Sequence, residues 1–402
     1  MKRRWRIATE EEIRSGKTTD TYFDRTVKIL RAENVNPYVY AEVTVSAMPG
    51  GTKWGVLAGI NDVLELFKGV DVDVWGLPEG TLFWPRAPSG VKTPVLAIQG
   101  HYAEFAALET PMLGFLCHTS GMCTRTARIR IAAGDRTLLS FGARRTHPAI
   151  TPQVEYAAYI GGCDGVSCVL GAELLGLKPA GTMPHALIIA FQDHIRAWQA
   201  YDRDLPEEIP RIALTDTYLD EVREAILAAE NVARLDGVRL DTTGSRRGDF
   251  KRIIQEVRWE LDVRGFHNVK IFVSGGLNEE SLTDLRDAPV DGYGVGGAIS
   301  NAPSIDFAMD IVAIMSDGEW APCAKRGKFS GRKIVWRCGH CLATDVTLEG
   351  EPAPTCKRCG EKMAKITTKL MSDGNIEYPP KTPKEIRAEV LRQLRIIGEN
   401  RE

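Results

Sequence analysis

The sequence has no long hydrophobic run. No stretch reaches the roughly 20 apolar residues of a membrane-spanning helix, so no membrane partner is expected. Met1-Lys2-Arg3-Arg4 is not followed by the apolar core of a signal peptide, and a cytoplasmic protein is expected. An excess of charge of one sign is missing too. The 51 Lys and Arg residues face 53 Asp and Glu, a net charge of -2, which gives no electrostatic reason to expect nucleic acid or a membrane surface as partner. A disulfide framework is also lacking. The nine cysteines are an odd number, and four of them form two Cys-x-x-Cys pairs, a pattern of metal binding in a reducing compartment. A chain of 402 residues has room for two or three domains with ample core.

What is present starts with Ser140-Phe141-Gly142-Ala143-Arg144-Arg145-Thr146-His147. The apolar run from Thr137 to Phe141 reads as a short buried strand. At its end, Phe141 offers a stacking face, and Arg144 and Arg145 offer planar forks that match carboxylate and phosphate oxygens. Alone, this stretch also fits a solvated basic turn. Repetition of the pattern further along the chain favours a site.

The first part of the chain reads as a mixed unit. A helix is expected over 18–33, a half-buried strand over 38–47, a helix over 56–67, a small sheet over 70–94 and a long helical passage over 102–133. From about 138 to 300, short β-rich runs alternate with helices. The runs lie at 138–141, 165–169, 181–184, 211–215, 237–240, 270–273 and 292–295. The helices lie at 153–160, 186–200, 218–229, 250–264 and 279–287. About seven such units without a halfway switch predict a parallel, helix-covered barrel. The fold class is therefore α/β, an irregular barrel with an N-terminal α+β sandwich-like domain and a C-terminal zinc ribbon. The expected domains are 1–120, completed by a return segment at 305–335; 121–304 as the barrel; and 336–402 as the ribbon with a final helix.

In such barrels the chemistry gathers at the C-terminal ends of the strands. Here those ends are polar, glycine-rich or ionisable. Gly294-Val295-Gly296-Gly297 and Ser274-Gly275-Gly276 let backbone approach an anion, and phosphate sites favour the loops after the last strands. Asp216 and Asp241 follow earlier strands, where they can bind sugar hydroxyls or magnesium, or offset positive charge on a sugar carbon. Their bland readings are a helix cap and a turn former. His185 follows Gly181-Thr182-Met183-Pro184 at a strand end rather than on an apolar face, which favours function over a core role. A phosphate cradle, a ring-and-arginine wall and two acids together suit a phosphorylated sugar joined to a flat ring.

Cys338-Gly339-His340-Cys341, then fourteen residues, then Cys356-Lys357-Arg358-Cys359 read as a zinc ribbon with four thiolate ligands, leaving His340 a neighbour. A nucleic-acid-binding ribbon is the reading from another class, supported by Lys357, Arg358, Lys362 and Lys365. The region lacks the aromatic platform that single-strand binding uses, and a gel shift would discriminate. The final helix opens with Thr382, Pro383 and Glu385 as a capping box, and Ile386, Val390, Leu394 and Ile397 form one apolar stripe expected to dock on a neighbouring domain or subunit.

From Thr18-Thr19-Asp20-Thr21-Tyr22-Phe23 to Gly297 the chain resembles the nicotinate phosphoribosyltransferases, in the group that also contains nicotinamide and quinolinate phosphoribosyltransferases. It is most similar to archaeal-type members with a C-terminal zinc ribbon. The resemblance implies transfer of a phosphoribosyl group from phosphoribosyl pyrophosphate to nicotinate in NAD biosynthesis, with magnesium, and with ATP as a co-substrate through a phosphohistidine at His185. It implies that Phe141 stacks on nicotinate, that Arg144 binds its carboxylate side and that Thr182 lies in the same pocket. Tyr22 would stack on the other face from a second subunit, in a homodimer or an oligomer built from dimers. Arg239 and Asp241 would lie near the ribose and ring nitrogen. Ser274, Gly275, Gly276, Gly296 and Gly297 would form the phosphate cradle, with Arg145 also on phosphoribosyl pyrophosphate. A quinolinate enzyme is the nearest alternative. Its members are usually shorter and lack the histidine, and the arginine pair favours an acid over an amide.

Overall fold

The computed structural model describes residues 3–399, which form two compact units. One unit comprises the chain up to Thr124 and from Pro303 onward; the other is Arg125–Ala302.

The first unit is built on a seven-stranded sheet. Its order is Glu319–Pro322, Asp306–Ser316, Tyr38–Ala47, Pro94–His101, Val72–Gly76, Thr368–Ser372 and Asn375–Ile376. The pairings within it are antiparallel. Val39, Ala41, Val43 and Val45 point to one face and join Val63, Leu64 and Phe67 of the helix Ile60–Phe67 in the core. The alternation in 38–47 predicts a strand with one wet face, yet seven of its ten residues are buried. The polar face is covered by distant residues. Glu42 accepts from the ammonium of buried Lys333 at 2.7 Å, and Arg332 lies over the Tyr40 ring at 4.7 Å. The helix expected over 56–67 is shorter, because Gly55–Val56 pairs with Leu82–Phe83 as a two-stranded ribbon and Gly59, at φ 92, starts the helix.

A small sheet of Thr344–Leu348, Lys333–Arg337 and Ala364–Lys365 carries the four cysteines at one end. The last helix, Pro383–Glu399, is capped as its sequence predicts: Thr382 N–H donates to Glu385 Oε2 at 2.8 Å, and Glu385 N–H to Thr382 Oγ1. Ile386, Val390 and Leu394 are buried, and a Cβ at Gly80 would come within 2.7 Å of Ile386. The stripe therefore docks inside its own unit.

The second unit is a six-stranded parallel sheet wrapped by helices. The order is Gly165–Val166, Thr137–Ser140, Gly292–Val295, Lys270–Val273, Gly237–Leu240 and Ile212–Leu214. Val238, Leu240, Ile271, Val273, Tyr293 and Val295 fill the centre, with Ile254, Val257 and Leu261 of the helix Phe250–Val263 packed on them. The expected strand at 181–184 does not form. Pro184 has no N–H for a ladder, and the Arg239 side chain takes both the Thr182 hydroxyl and the Met183 carbonyl. The barrel thus stays half closed, open between Val166 and Ile212 in the strand order. The helix expected over 186–200 is two, His185–Phe191 and His194–Asp204, because Gln192 takes a left-handed conformation and Asp193 caps the second helix.

Candidate active site

The C-terminal ends of the second unit's strands surround an open cavity of about 630 Å³. Its border includes Phe141, Arg144, Arg145, His185, Arg239 and Asp241, the Ser274–Gly276 turn, and Gly294, Gly296 and Gly297. Residues spread over 157 positions are gathered because parallel strands bring all their C-terminal ends to one edge.

Phe141 follows its strand directly, and its N–H donates to Val295 O at 2.8 Å. Its ring lies over the neighbouring strand so closely that a Cβ at Gly294 would sit 2.3 Å from Phe141 Cε2. Only glycine fits at 294. Arg144 and Arg145 occupy one exposed turn, Ala143–Arg145, with the Arg145 guanidinium beside Gly296 and Gly297.

Below them lies a continuous polar network. Buried Arg239 donates to Thr182 Oγ1 at 2.7 Å, Ser274 Oγ at 2.8 Å and Met183 O at 2.9 Å. Its Nη1 is 3.5 Å from Asp241 Oδ2. Ser274 in turn donates to Asp241 Oδ1 at 2.6 Å. The Asp241 N–H donates to Asp216 Oδ2 at 2.9 Å. The fork of Arg239 is spent on the protein, so this residue braces the acids and the 182–183 segment. Burial pushes the Asp216 carboxyl up to about 7, helped by the Asp241 carboxylate and opposed by that N–H. Asp216 Oδ1 is buried without a hydrogen-bond partner. Neither aspartate takes its bland reading: the N-cap of the helix Glu221–Asn231 is Asp220.

His185 opens the helix His185–Phe191 rather than ending a strand. Its Nδ1 shares a 3.0 Å hydrogen bond with Thr217 Oγ1. Its Nε2 lies 3.8 Å from both Asp216 Oδ1 and Asp241 Oδ2, beyond hydrogen-bond reach. Burial lowers the imidazole pKa, opposed by Asp241 and assisted by Arg239, which favours the neutral ring.

Of the sequence-derived candidates, Thr182 and Asp216 stand behind the cavity and touch it through Arg239 and Asp241. Tyr22 belongs to the first unit, where its ring is 56 % exposed and stacks obliquely on Phe23. Cys338, Cys341, Cys356 and Cys359 come together far along the chain, their sulfurs within 4.8 Å of one another. Sequence reading missed three residues. Thr217 fixes the His185 ring. Glu224, wholly buried, accepts the N–H groups of Thr217, Tyr218 and Leu219 and so holds that loop. Arg247 borders the cavity. Its signal was the stretch Thr242-Thr243-Gly244-Ser245-Arg246-Arg247-Gly248, small, hydroxylated and basic, directly after a strand.

A parallel barrel whose last strands end in glycine turns, beside paired acids and a ring-and-arginine wall, defines the class of α/β-barrel enzymes with a phosphate-binding mouth. The family models for the quinolinate phosphoribosyl transferase N-terminal and C-terminal domains match residues 20–120 and 122–310. A crystal structure of nicotinate-nucleotide pyrophosphorylase from Pyrococcus furiosus is 48 % identical, with all of both chains covered and a TM-score of 0.94. The nicotinate phosphoribosyltransferase pncB2 of Mycobacterium tuberculosis is 28 % identical over 383 residues, spanning 83 % of this chain and 80 % of its own. Human nicotinic acid phosphoribosyltransferase, 21 % identical with 94 % of each chain covered, shares the fold at a TM-score of 0.71. The chain belongs to the nicotinate and quinolinate phosphoribosyltransferase family.

Proposed function

We propose that this enzyme is a nicotinate phosphoribosyltransferase, joining nicotinate to phosphoribosyl pyrophosphate to give nicotinate mononucleotide and pyrophosphate for NAD synthesis. The observation that carries the reading is one cavity bordered by a ring with two arginines on one side and paired glycine turns on the other. Phe141 stacks on the pyridine ring, and Arg144 meets its carboxylate. The turns Ser274–Gly276 and Gly296–Gly297, with Arg145, hold the phosphorylated sugar, whose diphosphate carries magnesium as part of the substrate. As the C–O bond to pyrophosphate breaks, positive charge grows on the sugar carbon. Asp241 lies where that charge is best offset, and the Ser274 and Arg239 bonds fix its carboxylate in advance. Purified protein supplied with both substrates and magnesium should release nicotinate mononucleotide and pyrophosphate in equal amounts; neither product appearing would refute the reading.

ATP is a co-substrate through His185. The nitrogen Nδ1 is held by Thr217, which leaves Nε2 to accept the γ-phosphoryl group. The N–P bond forms as the bond from the γ-phosphorus to the ADP oxygen breaks, and ADP departs.

The enzyme acts as a homodimer or a multiple of it, with Tyr22 of one copy serving the cavity of the other. Its exposed ring supports this role. Tyr22→Ala and Phe141→Ala proteins, each nearly inactive, should regain about a quarter of wild-type activity when equal amounts exchange subunits, since half the dimers are mixed and each mixed dimer carries one intact site of two. No recovery despite demonstrated exchange would place both rings in one chain. The four thiolates hold a structural zinc. A tetrahedral ion with Zn–S of about 2.3 Å sets sulfurs about 3.8 Å apart. The pairs Cys338–Cys359, Cys341–Cys356 and Cys341–Cys359 lie at 3.2, 3.6 and 3.9 Å.

A further inference from the structure

The loop after the strand Gly237–Leu240 and the turn after Lys270–Val273 are tied together by one side chain. Arg247 donates from Nε to Thr242 O at 3.1 Å, and from Nη2 to Ser274 O at 3.0 Å and to Gly275 O. Its guanidinium lies over the Phe250 ring at 4.6 Å, and Phe250 is anchored in the barrel core. The fork is therefore fixed from below. Its Nη1 makes no hydrogen bond to the described residues, while the side chain borders the cavity.

The carbonyls that Arg247 covers belong to the glycine turn itself. Gly275 and Gly276 both take left-handed conformations, φ 87 and 66, so the turn is open to any residue but glycine only at a cost. A Cβ at Gly275 would also sit 3.0 Å from Arg247 Nη2. Bare carbonyl oxygens beside an anion cradle would repel the very group the turn's N–H groups attract. A guanidinium over them removes that repulsion and adds positive charge at short range. A lysine has one point of charge and cannot span Thr242 and Ser274 together.

We propose that Arg247 is a positioning residue for the phosphorylated substrate: it locks the Ser274–Gly276 turn in its anion-accepting shape and masks the turn's carbonyls. This rests on the phosphoribosyl transfer reading above. The role is separate from nicotinate binding, because the hydrogen bonds and ring contact of the Arg247 guanidinium all lie on the two tied loops and Phe250, and none reaches Phe141 or Arg144.

Calorimetric titration of phosphoribosyl pyrophosphate with magnesium, alongside steady-state kinetics, tests it on full-length Arg247→Met. Affinity for phosphoribosyl pyrophosphate and its KM should each weaken about tenfold or more, with the nicotinate KM within about twofold of wild type. Should the methionine variant fail to fold, Arg247→Lys keeps the charge and is expected to show the same one-sided change to a smaller degree. Unchanged affinity for phosphoribosyl pyrophosphate in either folded variant, or an equal rise in both KM values, would overturn the assignment. A wild-type protein that does not bind phosphoribosyl pyrophosphate would overturn both this inference and the function it rests on; a wild type that binds it with a variant that binds equally well would overturn the inference alone.

Discussion

Cys338→Ser is expected to lower the unfolding free energy by more than about 4 kcal/mol, the range reached when a structural metal is lost. The cluster around the sulfurs is small. Cys338, Cys341, Cys356 and Met363 are its buried members, with Trp336 and Ala343 partly buried against them. So few apolar side chains cannot offset the entropy of ordering the loops at 338–342 and 354–363. On the proposed reading, a zinc ion on the four thiolates would supply what the core does not. The ribbon also supports its unit: Arg337, next to the first ligand, donates to Leu82 O and to Gln393 Oε1, and Gln393 sits on the helix that covers Gly80. Loosening the thiolates therefore loosens that helix as well. Elemental analysis should find one zinc per chain, and a strong chelator should reproduce the melting shift of the variant. Absence of zinc in protein prepared without chelator, or an unchanged melting temperature in Cys338→Ser, would contradict this.

The other large effect concerns His185. In His185→Ala, ATP hydrolysis should fall by about 10³-fold or more, as expected when a covalent nucleophile is removed. Acid-labile phosphate on the protein should vanish with it. Basal transfer without ATP should fall by no more than about tenfold, a barrier change of about 1.4 kcal/mol. The reason is structural: the Asp241–Ser274–Arg239 network makes no hydrogen bond to the imidazole. Asp216 adds a second element. With its carboxyl pushed up to about 7, part of it is protonated near neutral pH and can donate to a phosphoryl oxygen on Nε2, where two full carboxylates would repel one. Labelling with γ-labelled ATP and mapping the label decides the matter. Label on another histidine, or the same ATP response in the variant, would overturn the assignment.

Much of this was legible in the sequence where local chemistry decides structure. The strands Gly237–Leu240, Lys270–Val273 and Gly292–Val295 match their expected bounds, because each run is hemmed by Asp, Asn or Gly; the first and last are buried throughout, and the middle one buries Ile271 and Val273. The strand-end residues then follow from topology alone. The misreadings share another origin, in partners remote along the chain. The run at 181–184 has the look of a strand, yet an arginine more than fifty positions later satisfies its polar groups instead of a ladder. The strand Tyr38–Ala47 reads as half wet because its cover, Lys333, lies 291 positions away. Arg247 escaped notice for the same reason, since its bond to Ser274 O reaches 27 positions along the chain, although the small, hydroxylated and basic stretch around it was a signal. Glu224 lies only five to seven positions from the N–H groups it holds, and nothing in composition marks that role.

The ring-and-arginine wall of Phe141, Arg144 and Arg145 is expected to select a pyridine monocarboxylate as acceptor. The direct measurement offers nicotinate, nicotinamide and quinolinate to the purified enzyme, each with phosphoribosyl pyrophosphate and magnesium, and compares kcat/KM. Nicotinate should be preferred over both, and Arg144→Ala should erase most of its advantage over nicotinamide. Equal or faster turnover of quinolinate would contradict the account.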